Sequence, residues 1–534
     1  MMRFFNTRSV ALLSIAAAVV CALIVMAWYL STDNMITYGR PYILTWEAVS
    51  LAMEQQGITV VPGEEQYRDN FLVRGGAWCL RLFGGTYASL LLVQIPFLIL
   101  LIISVSLIAW RYGGPSAAAY AAWLTLLGPT TIGLANAMDD HLALQALVAA
   151  ALASLAWSDQ KSWRWTAWLA IPLVALAGKI GADSTNRIIM LAIFACGAGG
   201  IFLRQWLVYL PQLKDKGKWS AALLFDGPWP MTGGLLLALL VGLWVIWPET
   251  TRGRYYMEQM HDEHYTGILA EPIGLLAYAR VWFSFLVTPA LAIFAVAALP
   301  VTWFLKKLRD WLTVATWLLI PMLGMSLIAK RQEYYLLAAV PATFVLIALG
   351  LAALPRKKWQ PAAAVICGLI CLFGWIRLAA LPEKVVGNIA GIRYVNHQFL
   401  LAPKVPDEFM EVPPIGKWIA ALCGPHRLLI LSDDYSRTHW DSFALQAWHA
   451  DPRLAPVDVR RNVRFAPERR CILTYFKKGT ASTIAEAVEM YKRSVAIQPE
   501  EKYLQDRLNA LARDTDIYRY AGSRHDFSIF IPQD

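Results

Sequence analysis

The sequence predicts an α-helical polytopic membrane protein followed by a small α/β domain. Three observations carry that expectation. Of 534 residues, 57% are hydrophobic and only 16% charged, against about 45–50% and about 25% in soluble domains. The apolar residues gather into runs close to the ~20 that a helix needs to cross a bilayer. Basic residues recur in every second connection between those runs, as membrane topology requires.

The runs are Val10–Leu30, Tyr87–Trp110, Ala117–Leu134, Leu142–Trp157, Trp163–Leu176, Ile188–Leu203, Met231–Trp247, Val281–Phe304, Trp311–Ile328, Tyr334–Leu354 and Pro361–Leu381. They predict about eleven spans, the fourth and fifth being short for a full crossing. The first run follows Arg3 and Arg8 like the core of a signal peptide. It is too long for one and lacks a small-residue cleavage site, so it reads as a retained helix.

With the N-terminus in the cytoplasm, the inner connections hold Arg111; Lys161 and Arg164; Arg204, Lys214, Lys216 and Lys218; Lys306, Lys307 and Arg309; and Arg356, Lys357 and Lys358. Every one is basic, which also accounts for most of the net charge of +10 without a nucleic-acid partner. An odd number of spans then places everything after Leu381 outside. The expected organisation is a membrane domain over 1–381, with a long polar first outer loop over 31–86, and an extracytoplasmic α/β domain over 382–534. In that domain Leu428–Leu431, Ile472–Phe476 and Phe527–Ile531 are β-prone, and 480–497 has helical spacing. The seven cysteines show no CxxC pair, and suggest neither a zinc knuckle nor a disulfide framework.

Ionisable residues concentrate in the outer connections. Asp139, Asp140 and His141 stand where the fourth run begins. Carboxylates at a membrane boundary face water, a cavity or a partner. They are candidates for binding a substrate hydroxyl or a metal, or for acid–base work. The plainer reading is a solvated turn with an aspartate capping the helix. Arg254 lies in the loop that also carries His261, Asp262 and His264, whose types suit a divalent metal, although their spacing matches no strong zinc signature. The same residues also suit an aromatic, interfacial loop. Lys330 and Arg331 open the tenth run on the outer side, against the topological bias. An Arg fork beside a Lys point charge suits phosphate, and snorkelling anchors are the alternative. Among the first-loop acids, Asp33 and Glu47 are candidates, most of the others reading as solvated.

Order and topology resemble the membrane glycosyltransferases of the C-type fold, above all the protein O-mannosyltransferase-like family that includes the lipid A aminoarabinose transferases. The motifs are Ala329-Lys330-Arg331-Gln332-Glu333-Tyr334-Tyr335-Leu336-Leu337-Ala338-Ala339-Val340-Pro341, the stretch from Gly57 to Pro62, and Asn136-Ala137-Met138-Asp139-Asp140. The likeness spans roughly Val10 to Leu381. It implies a bacterial inner-membrane enzyme that moves a sugar from a polyprenyl-phosphate donor to a lipid, glycan or protein acceptor. It also implies catalytic carboxylates in the first two outer loops, and Lys330, Arg331 and Tyr334 near the donor phosphate. The family's first-loop acid pair has no counterpart here, because Gly39–Trp46 contains no acid. Asp33 and Glu47 flank the gap. A transporter or flippase-like lipid binder and an inactive relative are the other functions to weigh. No acid lies near the centre of a span, which favours surface chemistry over translocation.

Overall fold

In the computed structural model, the described residues are 7–32, 40–55, 68–83, 87–181, 184–216, 229–246, 277–326, 333–355, 359–380, 385–389, 392–395, 418–419, 421–423, 427–432, 457–458, 470–476, 480–494, 502–513, 517–524 and 527–533. The chain divides into two compact units. One comprises Met1–Asp33 and Val93–Lys404, the other Asn34–Leu92 and Val405–Asp534.

The first unit is helical. It contains α1 (Thr7–Thr32) of the first unit; α2 (Arg40–Gln55) and α3 (Phe71–Phe83) belong to the second. The first unit continues with α4 (Ile95–Leu126), α5 (Pro129–Ala135), α6 (Asp140–Trp157), a 3-10 segment (Lys161–Leu169), α7 (Ala170–Ile180), α8 (Ser184–Lys216) and α9 (Trp229–Ile246). It ends with α10 (Pro289–Phe304), α11 (Leu308–Ser326), a second 3-10 segment (Glu333–Ala339), α12 (Pro341–Ala353), α13 (Gln360–Ala380) and a hairpin of β1 (Val385–Ile389) and β2 (Ile392–Val395). Six helices among the described residues are long and apolar enough to cross a membrane. Each apolar run of the sequence carries helix, but not always as one plain span. The second and third runs merge in α4, which kinks where Gly114 takes φ 81° ahead of Pro115. Only glycine adopts that backbone freely, and proline cannot donate the next helical hydrogen bond. The fifth and tenth runs begin as 3-10 turns rather than as α-helix.

α6 is the central helix. Every residue from Asp140 to Ala156 is buried. A helix apolar on all sides must be surrounded by others, and its run of alanines lets neighbouring backbones approach closely. Peripheral helices differ in kind. α9 keeps Leu236, Leu240 and Trp244 exposed, as a lipid-facing surface does.

The second unit holds α2, α3 and a five-stranded sheet. Its strands are β3 (Arg427–Ser432), β4 (Val457–Asp458), β5 (Arg470–Tyr475), β6 (Tyr518–Arg524) and β7 (Phe527–Pro532), in the order β4-β3-β5-β7-β6. β3 runs parallel to β4 and β5, while β7 is antiparallel to β5 and β6. Helices α14 (Ile484–Ser494) and α15 (Lys502–Arg513) supply Ile484, Val488, Tyr491, Leu508 and Leu511 to a core with Leu429, Ile472 and Phe530. The three strand runs therefore fall where the sequence placed them, and the helical spacing at 480–497 is realised as a helix over Ile484–Ser494. α14 starts with reciprocal side-chain bonds that resemble a capping box, shifted by one residue. The Thr483 hydroxyl accepts from Glu486 N at 3.2 Å, and the Glu486 carboxylate accepts from Ser482 N and its hydroxyl at 2.7 Å. The Ser482 backbone N–H, then its hydroxyl, hold the Glu486 carboxyl below the usual range. That stabilisation is present above the unfolded pKa, about 4.3, and is lost as pH falls through the lower folded value.

The stretch 31–86, expected as a polar loop, contains the helices α2 and α3. One expectation is overturned here. Cys423 and Cys471 form a disulfide across 48 residues, with Cα atoms 5.5 Å apart. Such a pairing depends on β5 reaching the segment before β3, which spacing alone does not encode.

Candidate functional site

The site begins with the way α6 starts. Asp139 has extended backbone (φ −127°, ψ 146°) and is the N-cap. Its Oδ1 accepts from His141 N at 3.0 Å, which satisfies one of the free amides of the first turn. The same oxygen meets His141 Nδ1. Asp140 is the first helical residue, where the helix dipole favours a carboxylate, and its Oδ1 lies 3.2 Å from His141 Nδ1. The capping reading of the sequence is thus right. The solvated reading is not, because Asp139 and Asp140 are only 1% and 0% exposed.

Residues far away in sequence hold this cluster. Gln94, itself buried, donates through Nε2 to Ala137 O at 3.0 Å and Asp139 O at 2.7 Å. It pins the turn that delivers Asp139. On the other side Asn186 Nδ2 lies 3.4 Å from His141 Nε2. His141 and Asn186 border a small pocket, about the size of one water, shared with Leu144, Ile189, Met190, Tyr335 and Ala338. Tyr335 and Ala338 come from the second 3-10 segment, which Trp317 Nε1 fastens by donating to Ala338 O at 3.1 Å. A charged head, a polar wall and an apolar lining thus meet at one end of the central helix. Gln94, Asn186 and Tyr335 were not candidates from sequence. Each is an ordinary residue at a helix end, and only packing brings it to α6.

Asp139, Asp140 and His141 each offer a ligand atom within 4.8 Å of the others. Two carboxylates and an imidazole are a fitting donor set for a divalent cation. Such an ion would be held by the Asp139 and Asp140 carboxylate oxygens and a ring nitrogen of His141. Of the three, only His141 lines the pocket, the two carboxylates standing behind its ring.

Glu47 lies in the other unit, on α2, and is fully buried rather than solvated. Arg68 Nε stands 3.7 Å from its Oε2, while the same guanidinium forks onto Glu54 at 2.7 and 3.1 Å. The structure places the backbone of Tyr334 in the second 3-10 segment, immediately before Tyr335. Asp33, Arg254, His261, Asp262, His264, Lys330 and Arg331 lie outside the described residues.

No protein-family model and no curated protein sequence matches this chain. Solved structures do. Crystal structures of ArnT from Cupriavidus metallidurans, one bound to undecaprenyl phosphate and one in the apo state, align over 96% of this chain and 97% of their own, each with a TM-score of 0.53. Sequence identity is 14% to the first and 13% to the second. An oligosaccharyltransferase from Archaeoglobus fulgidus, crystallised with Zn and sulfate, aligns over 95% of this chain and 67% of its own, at 14% identity and a TM-score of 0.47. The fold assignment rests on the ArnT match. The chain is an integral membrane protein with the C-type glycosyltransferase fold.

Proposed function

We propose that this protein transfers a sugar from a polyprenyl-phosphate donor to an acceptor on the outer face of the membrane. The buried Asp139–Asp140–His141 cluster at one end of the central helix, with His141 bordering a small pocket, is the observation that carries this reading. A fold shared with a protein crystallised on undecaprenyl phosphate supports it. In the reaction, an acceptor oxygen or nitrogen attacks the anomeric carbon of the donor sugar. The bond from that carbon to the phosphate oxygen breaks, and its electron pair leaves on the polyprenyl phosphate. Asp140 takes the acceptor's proton, and Asp139 orients His141 beside it. Lys330 and Arg331, with Tyr334, hold the departing phosphate, where positioned cations lower the cost of developing charge. A divalent cation held by Asp139, Asp140 and His141 would add Lewis-acid polarisation. His261, Asp262 and His264 are a second candidate donor set for such an ion. Asp33 and Glu47 are the first-loop acids assigned to the same chemistry, and Arg254 to substrate contact.

Binding of undecaprenyl phosphate to purified protein tests the donor assignment. Lys330→Ala and Arg331→Ala should each weaken it about tenfold, the scale of one charge-assisted contact of ~1.5 kcal/mol. Thermal stability should hold. If both variants bind the lipid like the parent, these residues are helix anchors and the phosphate is held elsewhere.

Orientation follows the basic connections, with the N-terminus inside and Val385 onward outside. The Cys423–Cys471 bridge supports it, because disulfides persist in oxidising compartments. Introduced cysteines at Ser432 and Lys216 check it, in a background without Cys21, Cys79, Cys196, Cys367 and Cys371. An impermeant thiol reagent on intact cells should label position 432 once the outer envelope is permeabilised, and leave 216 untouched. Labelling at 216 would reverse the orientation.

A further inference from the structure

The far end of α6 carries a feature that the transfer reaction does not use. Trp157 closes the helix and meets Trp163 edge-on, ring centroids 6.0 Å apart. Trp163 in turn stacks on Trp165, at 6.2 Å and 28° between planes. These two rings are 44% and 56% exposed. Lys161 is exposed just before them, and Arg164 lies between them in the chain. One short 3-10 segment therefore presents two stacked indoles, with one cation just before them and another between them in the chain.

The segment is held in place. The Thr166 hydroxyl donates to Ser154 O of α6 at 2.8 Å. Ala167 is fully buried, and a Cβ added at Gly234 of α9 would come within 2.5 Å of Ala167 O. The α9 backbone thus rests directly on the segment. Its aromatic face is a fixed platform, not a loop that folds away.

Its depth identifies what covers it. The 18 residues of α6 rise about 27 Å, close to the ~30 Å of bilayer hydrocarbon. A segment at the end of α6 stands at the headgroup level of one leaflet, opposite the end that carries Asp140. Indoles settle at that level because the ring is apolar and its N–H is polar. Neutral lipid would satisfy the indoles alone. The paired cations select negative charge, since each basic residue near such a surface adds about 1 kcal/mol with anionic lipid.

We propose that Lys161, Trp163, Arg164 and Trp165 form a binding site for the headgroup of an anionic phospholipid, in the leaflet opposite the catalytic cluster. The phosphate or its neighbouring charge meets the two cations, and the glycerol region lies against the stacked rings.

Native mass spectrometry of the detergent-purified full chain tests this, with phosphatidylglycerol and phosphatidylcholine titrated separately. The parent should retain phosphatidylglycerol in preference. Lys161→Gln/Arg164→Gln should lower that affinity by about tenfold or more, with phosphatidylcholine binding unchanged. Trp163→Leu/Trp165→Leu should weaken both lipids. Thermal unfolding of each variant shows that it is folded, and Lys161→Gln alone, at an exposed side chain, is the substitute if the double change is not. Equal retention of the two lipids by the parent would overturn the proposal. So would phosphatidylglycerol binding that survives loss of the cations. Both results would mark the segment as a general aromatic belt.

Discussion

Asp140→Asn should reduce sugar transfer by about a hundredfold or more, the range that loss of a positioned acid–base group gives. The substitution keeps the side-chain volume and removes the charge, so α6 should still pack. The helix start is protected as well, because its cap is Asp139 rather than Asp140. Asp139→Asn separates two roles in the same way. Asparagine caps a helix about as well as aspartate, so activity lost in that variant reflects the missing charge and not a frayed helix. His141 is in reach of both carboxylates, so a residual rate in Asp140→Asn would come from Asp139. The double variant is therefore the decisive one. Transfer from a polyprenyl-phosphate sugar in reconstituted membranes measures the rate, and thermal unfolding reports folding. A double variant working at the parent rate would remove this cluster from the chemistry.

The membrane architecture was legible because bilayers impose one simple demand. Long apolar runs have few other stable places, and most of α6 follows from the run Leu142–Trp157. The strands β3, β5 and β7 were legible for a similar reason, since β-prone runs bounded by charged or turn residues leave few alternatives. What was not legible depends on partners. α2 and α3 carry few strongly apolar stretches, and the burial of Glu47 follows from packing within its unit. Asp139 and Asp140 were visible as a motif, but the motif reads equally as a solvated cap. Only the surrounding helices, and Gln94 and Asn186 from elsewhere in the chain, make it a buried site. The kink at Gly114 was hidden because the runs on either side of it each look like a separate span.

The helix ends away from Asp140 hold a network where the sequence suggested plain positive charge. Asp159 accepts from Arg111 Nε at 2.8 Å and also from its Nη2. Arg204 Nη1 approaches Asp159 at 3.7 Å, and its Nε donates to Asp310 at 2.8 Å. The Arg204 guanidinium also lies over the Tyr112 ring, 4.8 Å from its centre. Charges of alternating sign thus join α4, the turn after α6, α8 and α11. The four side chains are 12–20% exposed, so water screens them less than a surface pair but more than a core pair. Removing one member of a fully buried pair costs about 3–5 kcal/mol, and a surface pair contributes about 0–1. Asp159→Ala should therefore destabilise the protein by about 2–3 kcal/mol, because it strands Arg111 and half-strands Arg204. Lys492→Ala, which breaks a pair to the largely exposed Glu489, should lose far less. An Arg111→Ala/Asp159→Ala cycle should show coupling above about 1 kcal/mol, as residues sharing a network do. Thermal unfolding in detergent measures both. Asp159→Ala unfolding with the parent would mean that the helices hold this end without the network. Activity gives the complementary check. Asp159 is at the other end of α6 from Asp140, so the folded fraction of the variant should keep the parent's transfer rate, and a stability loss with no rate loss would assign these charges to holding the helices together.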